Sequence, residues 1–150
     1  LAIVLAHRRS DLVGRLVAVE PNMDPYDGTA SLHIARQPEV DFVRNGYAEL
    51  VATAPPAWAA TLSVCDPLAL HRTSVGLCEL RGTAPREVLL RSTTERTLLW
   101  GAQSQPPAQL EELVAAGVRH RLIPGAGHVP MEDNPHAFAE ILAEVLTPTH

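Results

Sequence analysis

Three short segments of the chain alternate with longer helical patterns and have the character of β-strands. They are RLVAVE (residues 15–20), RTLLWG (residues 96–101) and VRHRLIPG (residues 118–125). Each segment ends at a charge, a glycine or a proline, which stops a strand abruptly. The first is apolar on both faces, a pattern typical of a parallel sheet that helices cover on both sides.

Helical spacing of apolar residues surrounds these segments. Residues 1–9 are apolar nearly all round and predict a buried helix. A second helix is expected from Pro107 to Gly117, and a final helix has Asn134 as its cap and Pro135 at its first helical position. Between the first two strands, prolines interrupt helical stretches such as VDFVRNGYAELVA, which predicts three or four short helices.

This order of elements is that of an α/β fold, in which right-handed crossovers make the three strands parallel. A strand such as RLVAVE also requires a neighbour on each side, and three strands do not supply one. We therefore expect the N-terminal half of the same domain to precede Leu1, and we expect the chain to be inactive alone. A first residue other than methionine agrees with this expectation.

The composition of the 150 residues excludes several classes of protein. Hydrophobic residues make up 46% and charged residues 19%, as in one globular core. The net charge is −5, so there is no basic excess to neutralise the phosphates of a nucleic acid. The longest apolar run is far shorter than a membrane-spanning helix. Cys65 and Cys78 are expected to be reduced, structural residues. The protein is expected in the cytoplasm.

The segment LIPGAGHVPMEDNPHAFAEIL (residues 122–142) carries the strongest signal for chemistry. A strand ends there, and a Gly-Ala-Gly loop leaves His128 at the C-terminal edge of that strand. Gly125 and Gly127 allow backbone angles and close approaches that a side chain would block. Imidazole titrates near neutral pH, so it can accept a proton as a general base and return it as an acid. Spacing alone leaves a second interpretation open, in which His128 only hydrogen-bonds within a tight loop.

These segments, in this order, resemble the C-terminal part of the α/β-hydrolase fold, in which a G-x-G-H loop after the last strand carries the triad histidine. Residues 1–22 resemble the helix after the nucleophile elbow and the sixth strand, and residues 96–128 resemble the seventh strand, its helix and the eighth strand. The resemblance implies a partial fold with family strands six to eight. Residues 1–25 and 96–150 would belong to its core, and residues 26–95 would form the inserted helical lid.

By this resemblance, the nucleophile would lie about five residues before Leu1, in a G-x-S-x-G elbow. None of the serines at hand is expected to replace it. Ser10 ends a helix, Ser31 and Ser74 lie in the predicted lid, and Ser104 lies in a polar loop without glycine neighbours. The oxyanion hole is not expected in the chain either, because one of its donors is the amide just after the nucleophile.

The acid that orients the histidine departs from the common family pattern. An Asp usually follows strand seven, but Gln103 and Ser104 occupy that region here. Some members place the acid just after strand six instead, where Glu20 stands, with Asp24 and Asp27 close behind. A carboxylate at the end of one strand can reach an imidazole on a nearby strand and hold its tautomer.

We therefore expect Glu20 to be the orienting acid. Asp24, or an acid outside the chain, could take this role instead. Glu20 would then be only a solvated charge or a helix cap.

The resemblance implies a hydrolase of ester-type bonds that forms an acyl-enzyme with a small-molecule substrate. His128 would activate the missing serine and later water, while Glu20 would orient His128. No cofactor is implied. One alternative is a haloalkane dehalogenase or epoxide hydrolase, if the missing nucleophile is Asp. Another is a non-catalytic α/β-hydrolase-like binding protein, which the absence of an acid after strand seven suggests.

Other residues that chemistry could use have simpler explanations. His120, His128 and His136 recur every eight residues, but they are expected in a strand, a loop and a helix, so no metal site is expected. Asp133 is expected to cap the final helix beside Asn134. Four apolar or aromatic side chains would either line a substrate pocket under the lid or only pack, namely Phe42, Tyr47, Leu50 and Trp58.

Overall fold

The computed structural model describes residues 2–25, 27–79 and 82–147. Leu1, Tyr26, residues 80–81 and residues 148–150, which the predicted core and lid include, lie outside these ranges. The elements, in chain order, are α1 (Ala2–Arg8), β1 (Arg15–Val19), α2 (Thr29–Ala35), α3 (Glu39–Asp41), a π-helical turn (Phe42–Gly46), α4 (Tyr47–Thr53), α5 (Pro56–Leu62), α6 (Pro67–Glu79), α7 (Pro85–Arg91), β2 (Glu95–Gly101), α8 (Leu110–Ala115), β3 (Arg119–Ile123), α9 (Pro130–Asp133) and α10 (Pro135–Leu146).

The three strands form one parallel sheet in the order β1-β2-β3. The predicted α/β class, with three parallel strands and flanking helices, is confirmed. The expectation that RLVAVE is buried on both faces is confirmed only in part. Leu16 and Ala18 are buried, whereas Val17 and Val19 on the other face are half-buried and pack against the core around Leu99. β2 is the most buried of the described strands, because all of its residues after Glu95 are buried. It is also the strand that has a paired strand on each side.

Each face of the sheet packs against its own set of helices. On one face, Leu16, Ala18 and Leu98 belong to a core that includes apolar residues of α1, α7 and α8. On the other face, Leu99 and Ile123 pack with Val145 and other apolar residues of α10. This alternation follows from the strand period of two, which sends successive side chains to opposite faces.

The chain divides into two compact units. One unit contains the residues up to Met23 and those from Thr83 onward, and the other is the helical unit Asp24–Gly82. The stretch predicted to hold three or four helices contains more, because Pro56, Pro67 and Pro85 begin helices rather than only interrupting them. In the described ranges, no helix is long and apolar enough to cross a membrane.

Arg15, the first residue of β1, forms hydrogen bonds with the C-terminal end of α10. Its guanidinium donates to the carbonyl oxygens of Val145 at 2.5 Å and Thr147 at 3.1 Å. It also pairs with Glu95 at 2.7 Å, and Glu95 pairs in turn with Arg119 on β3. A cation at a helix C-terminus satisfies carbonyls that have no partner within the helix.

Arg96, on β2, is a buried cation that joins the ends of two helices. Its side chain donates to the carbonyl oxygens of Leu89 and Ala116, each at 2.6 Å, and to that of Thr94 at 3.3 Å. Burial lowers the pKa of the Arg96 guanidinium from its ordinary value, yet an arginine stays charged at neutral pH. The carbonyls at the C-terminal ends of α7 and α8 are therefore satisfied by one side chain.

Replacing Arg96 by methionine should lower the free energy of unfolding by about 2 kcal/mol, because the carbonyl oxygens of Leu89 and Ala116 would lose their donor at about 1 kcal/mol each. Urea unfolding measures this change. The matched control is Arg91→Met, which removes an exposed arginine of α7 whose pairing with Glu87 is a surface one and which should change stability little. Equal effects of the two substitutions would contradict the capping role of Arg96.

Candidate active site

Glu20 follows directly after β1 and has an uncommon backbone conformation. Its φ is 44°, in the left-handed region that a residue with a side chain seldom adopts. Its N–H donates to Leu99 O on the neighbouring strand at 3.0 Å, so the turn is fixed to the sheet. Left-handed backbone of this kind costs free energy and concentrates at functional sites.

The two carboxylate oxygens of Glu20 have different partners. One oxygen, Oε1, accepts a hydrogen bond from the N–H of Gly101 at 2.7 Å. The other, Oε2, lies 3.3 Å from Nδ1 of His128. The Glu20 side chain is only 5% exposed, whereas the His128 side chain is 65% exposed. The structure thus brings a buried carboxylate and an accessible imidazole together.

This contact determines which nitrogen of His128 carries a hydrogen. An ionised carboxylate can only accept a hydrogen bond, so Nδ1 of His128 is the donor. The neutral imidazole then carries its lone pair on Nε2. A histidine held in this tautomer can act as a general base through Nε2.

Gly101, at the end of β2, lies pressed against the loop that precedes His128. A Cβ atom at Gly101 would lie 2.5 Å from the carbonyl oxygen of Ala126 and closer still to that of Gly127. Two further bonds join the same segments, from Ala102 N–H to Ile123 O at 3.0 Å and from Gln103 N–H to Ala126 O at 2.9 Å. The end of β2 and the loop therefore form one closely packed unit.

The two glycines of the loop differ in how strictly the backbone requires glycine. Gly125 has a φ of 67°, which a side chain would disfavour, as the sequence predicts. Gly127 does not have a positive φ, and a Cβ there would make an ordinary contact, 3.4 Å, with Oδ2 of Asp133, so the expectation that this position requires glycine is not confirmed. The N–H of Gly127 donates to the same oxygen at 2.8 Å.

The expectation that Asp133 caps the final helix is wrong. Asn134 alone provides the side-chain cap of α10, because its Oδ1 accepts from Ala137 N–H at 3.2 Å. Its Nδ2 donates to Pro124 O at 2.9 Å. Asp133 instead bonds back to the loop, since α9 turns the chain and brings this carboxylate beside Gly127. The sequence did not predict α9.

The structure also locates the other positions that the sequence offers for the acid. Ser104 lies in the turn after β2, where its N–H donates to Gly101 O at 3.0 Å, and no carboxylate follows this strand before Glu111. Asp24 belongs to the helical unit, and its backbone N–H donates to the carboxylate of Asp27 at 2.7 Å. Of the acids considered from the sequence, Glu20 is the one that the structure places against His128.

The remaining candidates take structural positions. His120 lies in β3 and His136 in α10, and burial lowers the pKa of His120. Within the described ranges, no group of three or more His, Cys, Asp or Glu side chains is arranged to hold a metal ion. Phe42 is fully buried and lies edge-on to Tyr47, whose hydroxyl is 2.6 Å from Leu62 O. These contacts favour packing within the helical unit.

Comparison with known proteins gives a consistent result. A family model described as the alpha/beta hydrolase family matches residues 2–141. No curated protein sequence matches the chain significantly. Solved structures match the chain over nearly its whole length. The chain itself spans only about three fifths of the length of those proteins.

Three of these structures illustrate the similarity. An enol-lactonase from Burkholderia xenovorans LB400 has a TM-score of 0.72 at 17% identity, with 98% of this chain and 61% of that chain covered. A thermophilic esterase from Thermogutta terrifontis has a TM-score of 0.67 at 18% identity, with 97% and 61% covered. The protein NosK from Streptomyces actuosus has a TM-score of 0.55 at 25% identity, with 96% and 62% covered.

Proposed function

The chain belongs to the alpha/beta hydrolase family, and from this premise we propose that it supplies the histidine and the acid of a Ser-His-Glu triad. The triad would hydrolyse ester-type bonds of a small-molecule substrate. The observation that carries the proposal is the contact of 3.3 Å between Glu20 and Nδ1 of His128. Both residues follow the C-terminal ends of parallel strands, where α/β sheets hold their catalytic groups.

In this mechanism, His128 moves protons and Glu20 holds the imidazole. Nε2 of His128 takes the proton of a serine hydroxyl, supplied from outside residues 1–150, as the serine oxygen attacks the ester carbonyl. The same proton then passes to the leaving alcohol, and an acyl-enzyme remains. His128 next activates water, which releases the acid and regenerates the serine. Glu20 stabilises the imidazolium that forms in both stages.

The proposal also assigns a part in the reaction to each segment of the chain. The sequence predicts a lid over residues 26–95, but α7 belongs to the same unit as the strands and contributes Val88 and Leu89 to their core. The helical unit Asp24–Gly82 would therefore serve as the lid, and the other unit as part of the catalytic core. The N-terminal half of the domain would be the source of the nucleophile. The cytoplasmic location stays a prediction as well.

The test uses the longest natural form of the protein that contains these residues. We expect turnover of p-nitrophenyl acetate with an initial burst of nitrophenol, since acylation precedes hydrolysis of the acyl-enzyme. A fluorophosphonate should abolish this turnover by transferring its phosphonyl group to a serine outside residues 1–150, with loss of fluoride, and peptide mass spectrometry locates the labelled serine.

Other outcomes would overturn the proposal. Hydrolysis of a haloalkane or an epoxide without phosphonate labelling would indicate an Asp nucleophile. Neither labelling nor turnover of any of these substrates would favour a non-catalytic binding protein.

A further inference from the structure

Asp133 bonds to the backbone on both sides of His128. Its carboxylate oxygen Oδ2 accepts the N–H of Gly127 at 2.8 Å, and its own N–H donates to the carbonyl oxygen of Val129 at 3.0 Å. Gly127 and Val129 are the immediate chain neighbours of His128. One residue therefore closes a ring of backbone and side chain around the histidine.

The position of the His128 imidazole depends on this backbone. Its side chain is 65% exposed, so packing against neighbours does little to restrict it. The contact with Glu20, at 3.3 Å, is long for a hydrogen bond. Small movements of the His128 backbone would therefore change the distance between the imidazole and the carboxylate directly.

A structural explanation for Asp133 is weaker than this one. The cap of α10 is provided by Asn134, and Asp133 itself is exposed. One exposed hydrogen bond contributes little to folding. A misplacement of about 1 Å in a catalytic group, in contrast, can cost about 10²-fold in rate. The bond to Gly127 should therefore matter far more for turnover than for stability.

We propose that Asp133 is a positioning residue, which fixes the backbone of His128 and so holds the imidazole against Glu20 for proton transfer. The inference rests on the proposed function, because it assigns Asp133 a part in the reaction of His128. Asp133 itself need not touch the substrate.

Three variants of the longest natural protein test the inference. Asp133→Ala should lower kcat for p-nitrophenyl acetate by about 10- to 100-fold, with little change in KM or Tm. Asp133→Asn should restore most of kcat, because its amide oxygen can still accept the Gly127 N–H. Glu132→Ala removes the neighbouring exposed acid of α9 and should behave like the unmodified protein.

A kcat of Asp133→Ala equal to that of Glu132→Ala would overturn the inference. So would a loss of kcat that follows a lowered Tm and that Asp133→Asn does not restore, since this result would indicate a merely structural role.

A second measurement separates the failure of this inference from the failure of the proposed function. The NMR signal of the His128 imidazole Cε1–H requires no substrate. In Asp133→Ala it should move toward the position of a freely mobile histidine, and in Asp133→Asn it should stay in place. An unchanged signal in Asp133→Ala would overturn the positioning role whether or not the protein hydrolyses esters.

Discussion

Replacement of Glu20 by glutamine should lower kcat for ester hydrolysis by about three to four orders of magnitude, as expected when a triad acid becomes an amide. Gly101 N–H donates to Oε1 of Glu20, so the amide oxygen of a glutamine must take this place. Its NH₂ group then faces Nδ1 of His128. Because the amide donates a hydrogen bond there, the imidazole hydrogen moves to Nε2 and the base is lost.

The retained bond to Gly101 also means that Glu20→Gln should fold normally, which circular dichroism and Tm check. Glu111→Gln is the matched control, since it changes an exposed glutamate of α8. Near-normal turnover of Glu20→Gln would remove Glu20 from the triad and return attention to Asp24 or to an acid outside the chain.

Replacement of Gly101 by alanine should affect stability and turnover together. The new methyl group would overlap the carbonyl oxygens of Ala126 and Gly127, which are backbone atoms and cannot move aside as a flexible side chain can. We expect a loss of about 3 kcal/mol in the free energy of unfolding. We also expect a fall in kcat of at least about 10²-fold, since relief of the overlap displaces the loop that carries His128.

Urea unfolding and ester kinetics measure the two effects of Gly101→Ala. Gly76→Ala is the matched control. It makes the same substitution in α6, where a new Cβ would meet nothing within 4 Å. Alanine in a helix interior is more favourable than glycine by about 1 kcal/mol, so this control should gain stability. Normal stability and turnover in Gly101→Ala would show that the end of β2 and the loop are not in close contact.

The parts of the fold that depend on local pattern could be predicted from the sequence. The three short segments between turn signals predict the parallel strands, and Asn134 with Pro135 predicts the start of α10, because these signals act within a few residues. The sequence predicts the start of α8 at Pro107, but the helix begins at Leu110, and the short α9 was not predicted. The exact ends of helices, and helices of a single turn, leave little signal in the pattern of apolar residues.

The contact between Glu20 and His128 could be anticipated from the sequence, but the contacts that support these two residues could not. Glu20 and His128 stand at strand ends, which the sequence indicates. The close approach of Gly101 to Gly127 joins segments that are far apart in the chain, and no local pattern signals it. The same reason hides the bond from Asp133 to Gly127, since it depends on how α9 turns.

The two ends of α10 are both fastened to the sheet unit. Arg15 binds its last carbonyls, and Asn134 joins its first turn to Pro124 in the loop that carries His128. Local opening of this loop, of the kind that amide hydrogen exchange detects, would therefore have to release the start of the helix as well. The loop that carries His128 and α10 should thus open as one cooperative segment. The position of His128 should therefore persist until that whole segment unfolds.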